Sequence, residues 1–222
     1  MIYITGDVHG DLADLDSRGT AKLKKNDILI VTGDFGLLWD SSKKEIKSLN
    51  KLSKRKYKIL FVEGVHENFD MINEHQSEEI FGSSALKISD NIYCLKRGEI
   101  YSIEGKTVFA LGGAKVDDPF ENGELDPIND KAMPTDEQLK DAVDRLQSIK
   151  KRVDIIITHE APASVKRLIR RDSSINDLNI FLDTLLHNVK YKMWYFGSLH
   201  TDRALSTNMT CVWQELIKVD FN

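Results

Sequence analysis

Short apolar runs, each closing on a glycine or histidine with an acid nearby, constrain this chain more than any other feature. IYIT (2 to 5), DILIVT (27 to 32) and KILFVE (58 to 63) each end in glycine with a charged residue close behind. Four to six β-branched and aromatic residues bounded in this way read as buried strands. Between the last two runs, Ile46, Leu49 and Leu52 keep helical spacing, so the first third predicts parallel strands joined by crossover helices.

The pattern changes after residue 84. "ALKIS", "NIYCLK" and "EIYSIEGKTVFAL" are closely spaced, with the turn-like "IEGK" inside the last, and they predict an antiparallel meander over 84 to 111. Residues 113 to 134 hold three of the four prolines and many acids without periodicity, the composition of a long loop. Thr135 with Gln138 three positions on reads as a helix N-cap, opening a helix to about Lys151. VDIIIT (153 to 158) returns to strand, two amphipathic stretches fill 163 to 188, and MWYFG with residues 203 to 219 close the chain as strands. The expected fold class is α/β, helices outside a layered sheet core. With 222 residues and no repeat or linker, one domain over 1–222 is expected.

Composition excludes several functions. Lys plus Arg is 31 against 35 for Asp plus Glu, a formal charge of −4, which gives no global attraction to nucleic acid or anionic lipid. No apolar run reaches the about 18 residues of a membrane span, and MIYIT runs straight into "GDVHGD" without a cleavable leader pattern. A cytoplasmic, soluble protein is expected. Cys94 and Cys211 lie in apolar contexts without close Cys or His partners and read as inert core thiols.

The chemistry-bearing residues recur at strand ends. They are Asp7 and His9 in "GDVHGD", Asp34 in "GDFG", His66 in "GVHEN", His159 in "ITHEAP" and His200 in "GSLH". Alone, each such Asp is an ordinary turn former and each His an ordinary hydrogen-bonding side chain. Their joint recurrence after β-runs places them at one open edge of the sheets, where α/β folds carry their chemistry. Mixed carboxylate and imidazole suit Mn²⁺, Fe or Zn²⁺.

These five motifs, in this order and over nearly the whole chain, resemble the calcineurin-like metallophosphoesterase superfamily, especially its small bacterial and phage members. The family pattern is DxH, GD, GNH followed by an acid, a strand-end His, then GHxH. The resemblance implies a β-sandwich flanked by helices in four αββα layers, and a two-metal site that hydrolyses phosphate mono- or diesters with metal-activated water. It implies one metal held by Asp7, His9, Asp34 and His200, and a second held by Asp34, His159 and the positions of Val65 and Ser198. His66 maps to the general acid or phosphate-oxygen partner, so it is the expected catalytic residue.

Two of those positions depart from the family. GNH is here Gly64, Val65, His66, and GHxH is Gly197, Ser198, Leu199, His200. Valine carries no donor atom and serine only a weak one, so both departures fall on the second ion. Glu67 and Glu160 sit beside ligand positions as possible supporting or replacement groups; the resemblance suggests that Glu67 orients His66. The expected cofactor is one tightly bound divalent transition metal, Mn first, and the expected partner a small phosphate ester. Two readings stay open: a phosphoesterase with an impaired second site, and a catalytically degraded or inactivated relative that binds a phosphate compound or protein without turnover. Trp39, Trp194 and Trp213 read as core or site wall, and "KRLIRR" (166 to 171) as a solvated helix face.

Overall fold

The alternation of side chains along β-strands decides how this chain layers. In the computed structural model, which describes residues 1–115 and 131–220, two sheets lie face to face. The first runs through β1 (Ile2–Thr5), β2 (Ile28–Val31), β3 (Lys58–Phe61), β4 (Ser77–Ile80), β5 (Ser83–Ser89) and β6 (Ile92–Leu95). The second holds β7 (Glu99–Ile103), β8 (Lys106–Leu111), β9 (Ile155–Thr158), β10 (Met193–Phe196), β11 (Arg203–Ser206) and β12 (Met209–Cys211). Strand β13 (Ile217–Lys218) returns to the first sheet, whose order is β13-β1-β2-β3-β6-β5-β4; the second is ordered β11-β12-β10-β9-β8-β7.

Strands β1, β2, β3 and β6 pair in parallel, as do β8, β9, β10 and β12. Their residues split by parity between two cores. Ile28 and Ile30 of β2, with Ile155 and Ile157 of β9, fill the space between the sheets, while Leu29 and Val31 face away. A strand buried on both faces has to be apolar throughout, which explains the continuous runs ILIV and IIIT.

Outside lie the helices. Leu12 and Leu15 of α1 (Leu12–Ser17), Leu52 of α2 (Lys43–Leu52) and Ile72 of α3 (Phe69–Asn73) cover the first sheet. Ala142 and Leu146 of α4 (Asp136–Ser148) and Leu178, Leu182 and Leu185 of α6 (Asp177–Asn188) cover the second. Between them in sequence runs the short α5 (Ala163–Ile169). The expected α/β, four-layer arrangement is what is observed.

Several local expectations change. The segment 84 to 111 is not one meander: β4, β5 and β6 are antiparallel neighbours in the first sheet, and β7–β8 form a hairpin in the second. Local alternation cannot tell which sheet a strand joins, because both present the same apolar face. Thr135 does cap α4 in a reciprocal box with Gln138, but the helix stops at Ser148 because Lys150 and Lys151 take left-handed φ values of 59° and 52°. Ile46 is exposed, so only Leu49 and Leu52 of its stripe meet the core. The loop expected over 113 to 134 falls mostly on residues 116–130, outside the described residues. No helix among the described residues is long and apolar enough to cross a membrane.

Candidate functional site

Parallel strands point their C-terminal ends the same way, and the loops leaving β1, β2, β3, β9 and β10 carry Asp7 and His9, Asp34, His66, His159 and His200. All six meet at one edge of the sandwich. Asp7, His9, Asp34 and His200 each offer one atom to a group in which every pair lies within 4.8 Å. His9 Nε2 and His200 Nε2 face each other at 3.1 Å.

Local backbone makes this convergence possible. His9, Asp34, Ser198 and His200 hold φ values of 48°, 46°, 55° and 48°, a left-handed conformation that costs non-glycine residues and gathers at functional sites. Gly64 and Gly197 give bare backbone beside the carboxylates: a Cβ on Gly64 would sit 2.1 Å from Asp34 Oδ1, and one on Gly197 2.3 Å from Asp7 Oδ1.

The electrostatics fit a cation. Both Asp7 oxygens are buried without a hydrogen bond, although His200 Nε2 approaches Oδ2 to 3.0 Å, a contact that lacks hydrogen-bond geometry. Buried carboxylate oxygens ordinarily find donors, so this unpartnered pair has the chemistry of a cation ligand. Asp34 is hydrogen-bonded through both oxygens and keeps acceptor capacity on Oδ2: Oδ1 accepts from the N–H groups of Val65 (2.6 Å) and His66 (2.9 Å), and Oδ2 lies 2.9 Å from His66 Nδ1. Burial alone would raise the Asp34 carboxyl, but His159 and the His66 bond outweigh it and hold it well below the usual range.

Buried His159 bonds the carbonyl of Thr32 through Nδ1 at 3.0 Å and lies 3.7 Å from both Asp7 and Asp34. Burial disfavours its charge, yet Asp34 and Asp7 prevail and lift it to about 9. Burial lowers His9, while the hydrogen bond to Asp34 raises His66. Glu67 is pushed up to about 8 by burial and then by the charge of Asp34. Its two oxygens nevertheless accept from the N–H groups of Phe35 (2.6 Å) and Gly64 (2.8 Å), so it ties the loops after β2 and β3 together.

The two departing positions lie beside Asp34 and among the buried loops. Val65 touches Asp34 through its backbone N–H, and Ser198 Oγ is buried without a partner. Both oxygens of Glu160 accept from Lys166 Nζ, and Oε2 also accepts from Asn179 at 2.6 Å. Lys166 is therefore buried, the exception within "KRLIRR"; Arg167, Leu168, Arg170 and Arg171 are exposed, as a solvated face expects, and Arg170 also donates to the carbonyl of Leu199.

Arg18, outside the sequence motifs, supports the site. Its guanidinium donates to the carbonyls of Gly6, Asp7 and Trp213 and to Thr5 Oγ1, pinning the first ligand loop to the end of the chain. Its ion pair with Asp14, four positions earlier, has a spacing visible in the sequence, but the three backbone carbonyls that tie it to the site leave no mark there. The aromatic row Trp39, His66, His9, His200 and Trp213, with centroid separations of 6.2, 4.5, 5.2 and 5.9 Å, is likewise a product of folding. Trp39 and Trp213 wall the site at its two ends, and Trp194 is core.

Two face-to-face α/β sheets with a carboxylate–imidazole cluster at one edge define a metallophosphoesterase fold. The chain belongs to the calcineurin-like phosphoesterase family, whose model matches residues 1–202. No curated protein shows a significant sequence match. Among solved structures, a protein assigned as a 5′-nucleotidase from Staphylococcus aureus aligns over 96% of this chain and 48% of its own length, at 14% identity and a TM-score of 0.50. The phosphopantetheinyl hydrolase of Mycobacterium tuberculosis aligns over 96% of this chain and 89% of its own, at 13% identity and 0.51. The chain thus spans about half of the first structure, and at such identities the likeness is one of fold.

Proposed function

We propose that this protein is a phosphoesterase that hydrolyses phosphate mono- or diesters with one firmly held divalent cation, bound by Asp7, His9, Asp34 and His200. The carrying observation is the pair of buried Asp7 oxygens without hydrogen bonds, grouped with three other donor atoms in a family that uses divalent metals. Two carboxylates and two imidazoles suit Mn²⁺, with Fe and Zn²⁺ as further candidates. When bound, the cation supplies Lewis-acid polarisation of a phosphoryl oxygen and acidifies water.

The chain's own groups supply the rest. His66 is half exposed and gives Nδ1 to Asp34, which leaves Nε2 to meet a phosphate oxygen or to protonate the departing alcohol. In the overall step, water oxygen bonds to phosphorus, the ester P–O bond breaks, and the alcohol leaves with a proton. Glu67 fixes the loop that aims His66. Arg18 holds the loop of Asp7.

For a second cation the donor set does not fit. Val65 has no side-chain donor, Ser198 offers one neutral hydroxyl, and Glu160, the neighbour of His159, is committed to Lys166 and Asn179. His159 is left to bond water or phosphate. These same facts favour a second reading, a degraded relative that binds a phosphate compound or protein partner without turnover.

One experiment separates the two. Elemental content after exhaustive dialysis, with hydrolysis of a chromogenic phosphodiester in Mn²⁺, is measured for the wild type, Val65→Asn, Ser198→His, the double variant and an Asp34→Asn control. The expected result is about one ion per wild-type chain, turnover that Asp34→Asn abolishes, and a gain of at least about 10²-fold in the double variant as a second ion binds. Each single variant gains much less, because ligands acting together are non-additive. Two ions retained by the wild type would overturn the single-cation reading. A double variant that takes up two ions and stays inactive on every ester would favour the binding protein.

A further inference from the structure

Beside His9 and His66 opens a cavity of about 340 Å³, floored by Leu37, walled by Trp39 and rimmed by Asp40 and Lys44. We propose that this cavity receives a planar aromatic leaving group of nucleoside size, with the indole of Trp39 as the face on which it stacks. The proposal rests on the phosphoesterase reading for the place of the phosphate and goes further in naming the substrate class.

Three observations carry it. Trp39 is 38% exposed although it lines a concave site, and it stands 6.2 Å from the His66 ring, tilted by 42°. Its backbone is pinned from both sides: the buried carboxylate of Glu45 accepts from the N–H groups of Trp39 (2.9 Å) and Asp40 (3.0 Å), and Asn68 Nδ2 donates to the Trp39 carbonyl (3.0 Å). An exposed aromatic on a locked backbone is a pre-organised binding surface, since little conformational freedom is lost when a ligand arrives. Finally, the volume lies within the about 300–1,000 Å³ of small-molecule pockets and exceeds what one phosphate requires.

Position selects the leaving group rather than the retained one. His66 lies between the Asp7, His9, Asp34 and His200 cluster and Trp39, so the ester oxygen that takes a proton faces the indole. Asp40 and Lys44 at the rim supply one acceptor and one donor for ring substituents.

The test compares adenosine 5′-monophosphate with glycerol phosphate, both in Mn²⁺, for the wild type, Trp39→Ala and Trp39→Phe. The ratio of kcat/KM for the nucleotide over glycerol phosphate is expected to fall at least about fivefold in Trp39→Ala, through KM, and to be largely kept by Trp39→Phe, whose ring still stacks. An unchanged ratio in Trp39→Ala with both esters turned over overturns the inference and leaves the phosphoesterase reading intact. If neither ester is hydrolysed, titration of wild-type tryptophan fluorescence with the nucleotide decides. Quenching that Trp39→Phe removes supports the stacking face while the hydrolytic reading fails. Quenching that survives in Trp39→Phe, or none at all, overturns it.

Discussion

At the scale of single residues, close approach rather than side-chain chemistry sets several site positions. Gly197 is required because any Cβ would fall 2.3 Å from Asp7 Oδ1 and 2.9 Å from Thr32 Oγ1, displacing the carboxylate proposed to hold the cation. Gly197→Ala is expected to lower stability by about 1–3 kcal/mol, the usual cost of overpacking, and to bring the dialysed metal content well below one per chain. Thermal unfolding and elemental content measure the two effects, and full metal retention would show that Asp7 can shift without loss. The glycines, acids and histidines here were legible in the sequence because each sits next to an apolar run. Glu45 was not, since its partners are the N–H groups of Trp39 and Asp40, and backbone groups leave no mark in a pattern of residue types.

At the scale of elements, α5 is attached to the loop after β9 by a buried ion pair. Lys166 Nζ lies 3.1 Å from Glu160 Oε2, both side chains nearly inaccessible, and Asn179 of α6 donates to the same oxygen. Removing one member of such a pair leaves an uncompensated buried charge. Lys166→Met is therefore expected to destabilise the protein by about 3 kcal/mol, and Lys166→Met with Glu160→Gln by clearly less, in denaturant unfolding. A single variant as costly as the double would show that packing, and not charge, dominates there. Helix existence was readable from spacing and from the Thr135–Gln138 cap. The burial of Lys166 was not, because a basic stripe reads as a wet face until a carboxylate from another element meets it.

At the scale of the whole molecule, the central core draws on both sheets, with Ile30, Leu60 and Tyr93 from one meeting Tyr101, Ile155 and Ile157 from the other. Neither sheet can bury its inner face alone, so the chain is expected to unfold as one domain. Ile157→Ala, at a fully buried position, should cost about 2–5 kcal/mol and move circular dichroism and tryptophan fluorescence transitions together. Separated transitions would mean that the sheets fold independently and that the single-domain expectation fails.

The amino-acid order by itself determined the strand runs, the α/β class and the set of acids and histidines at strand ends, because those are carried by local periodicity and by neighbours in sequence. Tertiary structure alone decided which sheet each later strand joins, that Val65 meets Asp34 through its backbone N–H, and that Trp39 stands beside His66. Each depends on contacts between residues distant in the chain, and the pairing of two equally apolar sheet faces, or the reach of one N–H toward one carboxylate, is set by three-dimensional packing that local sequence does not encode.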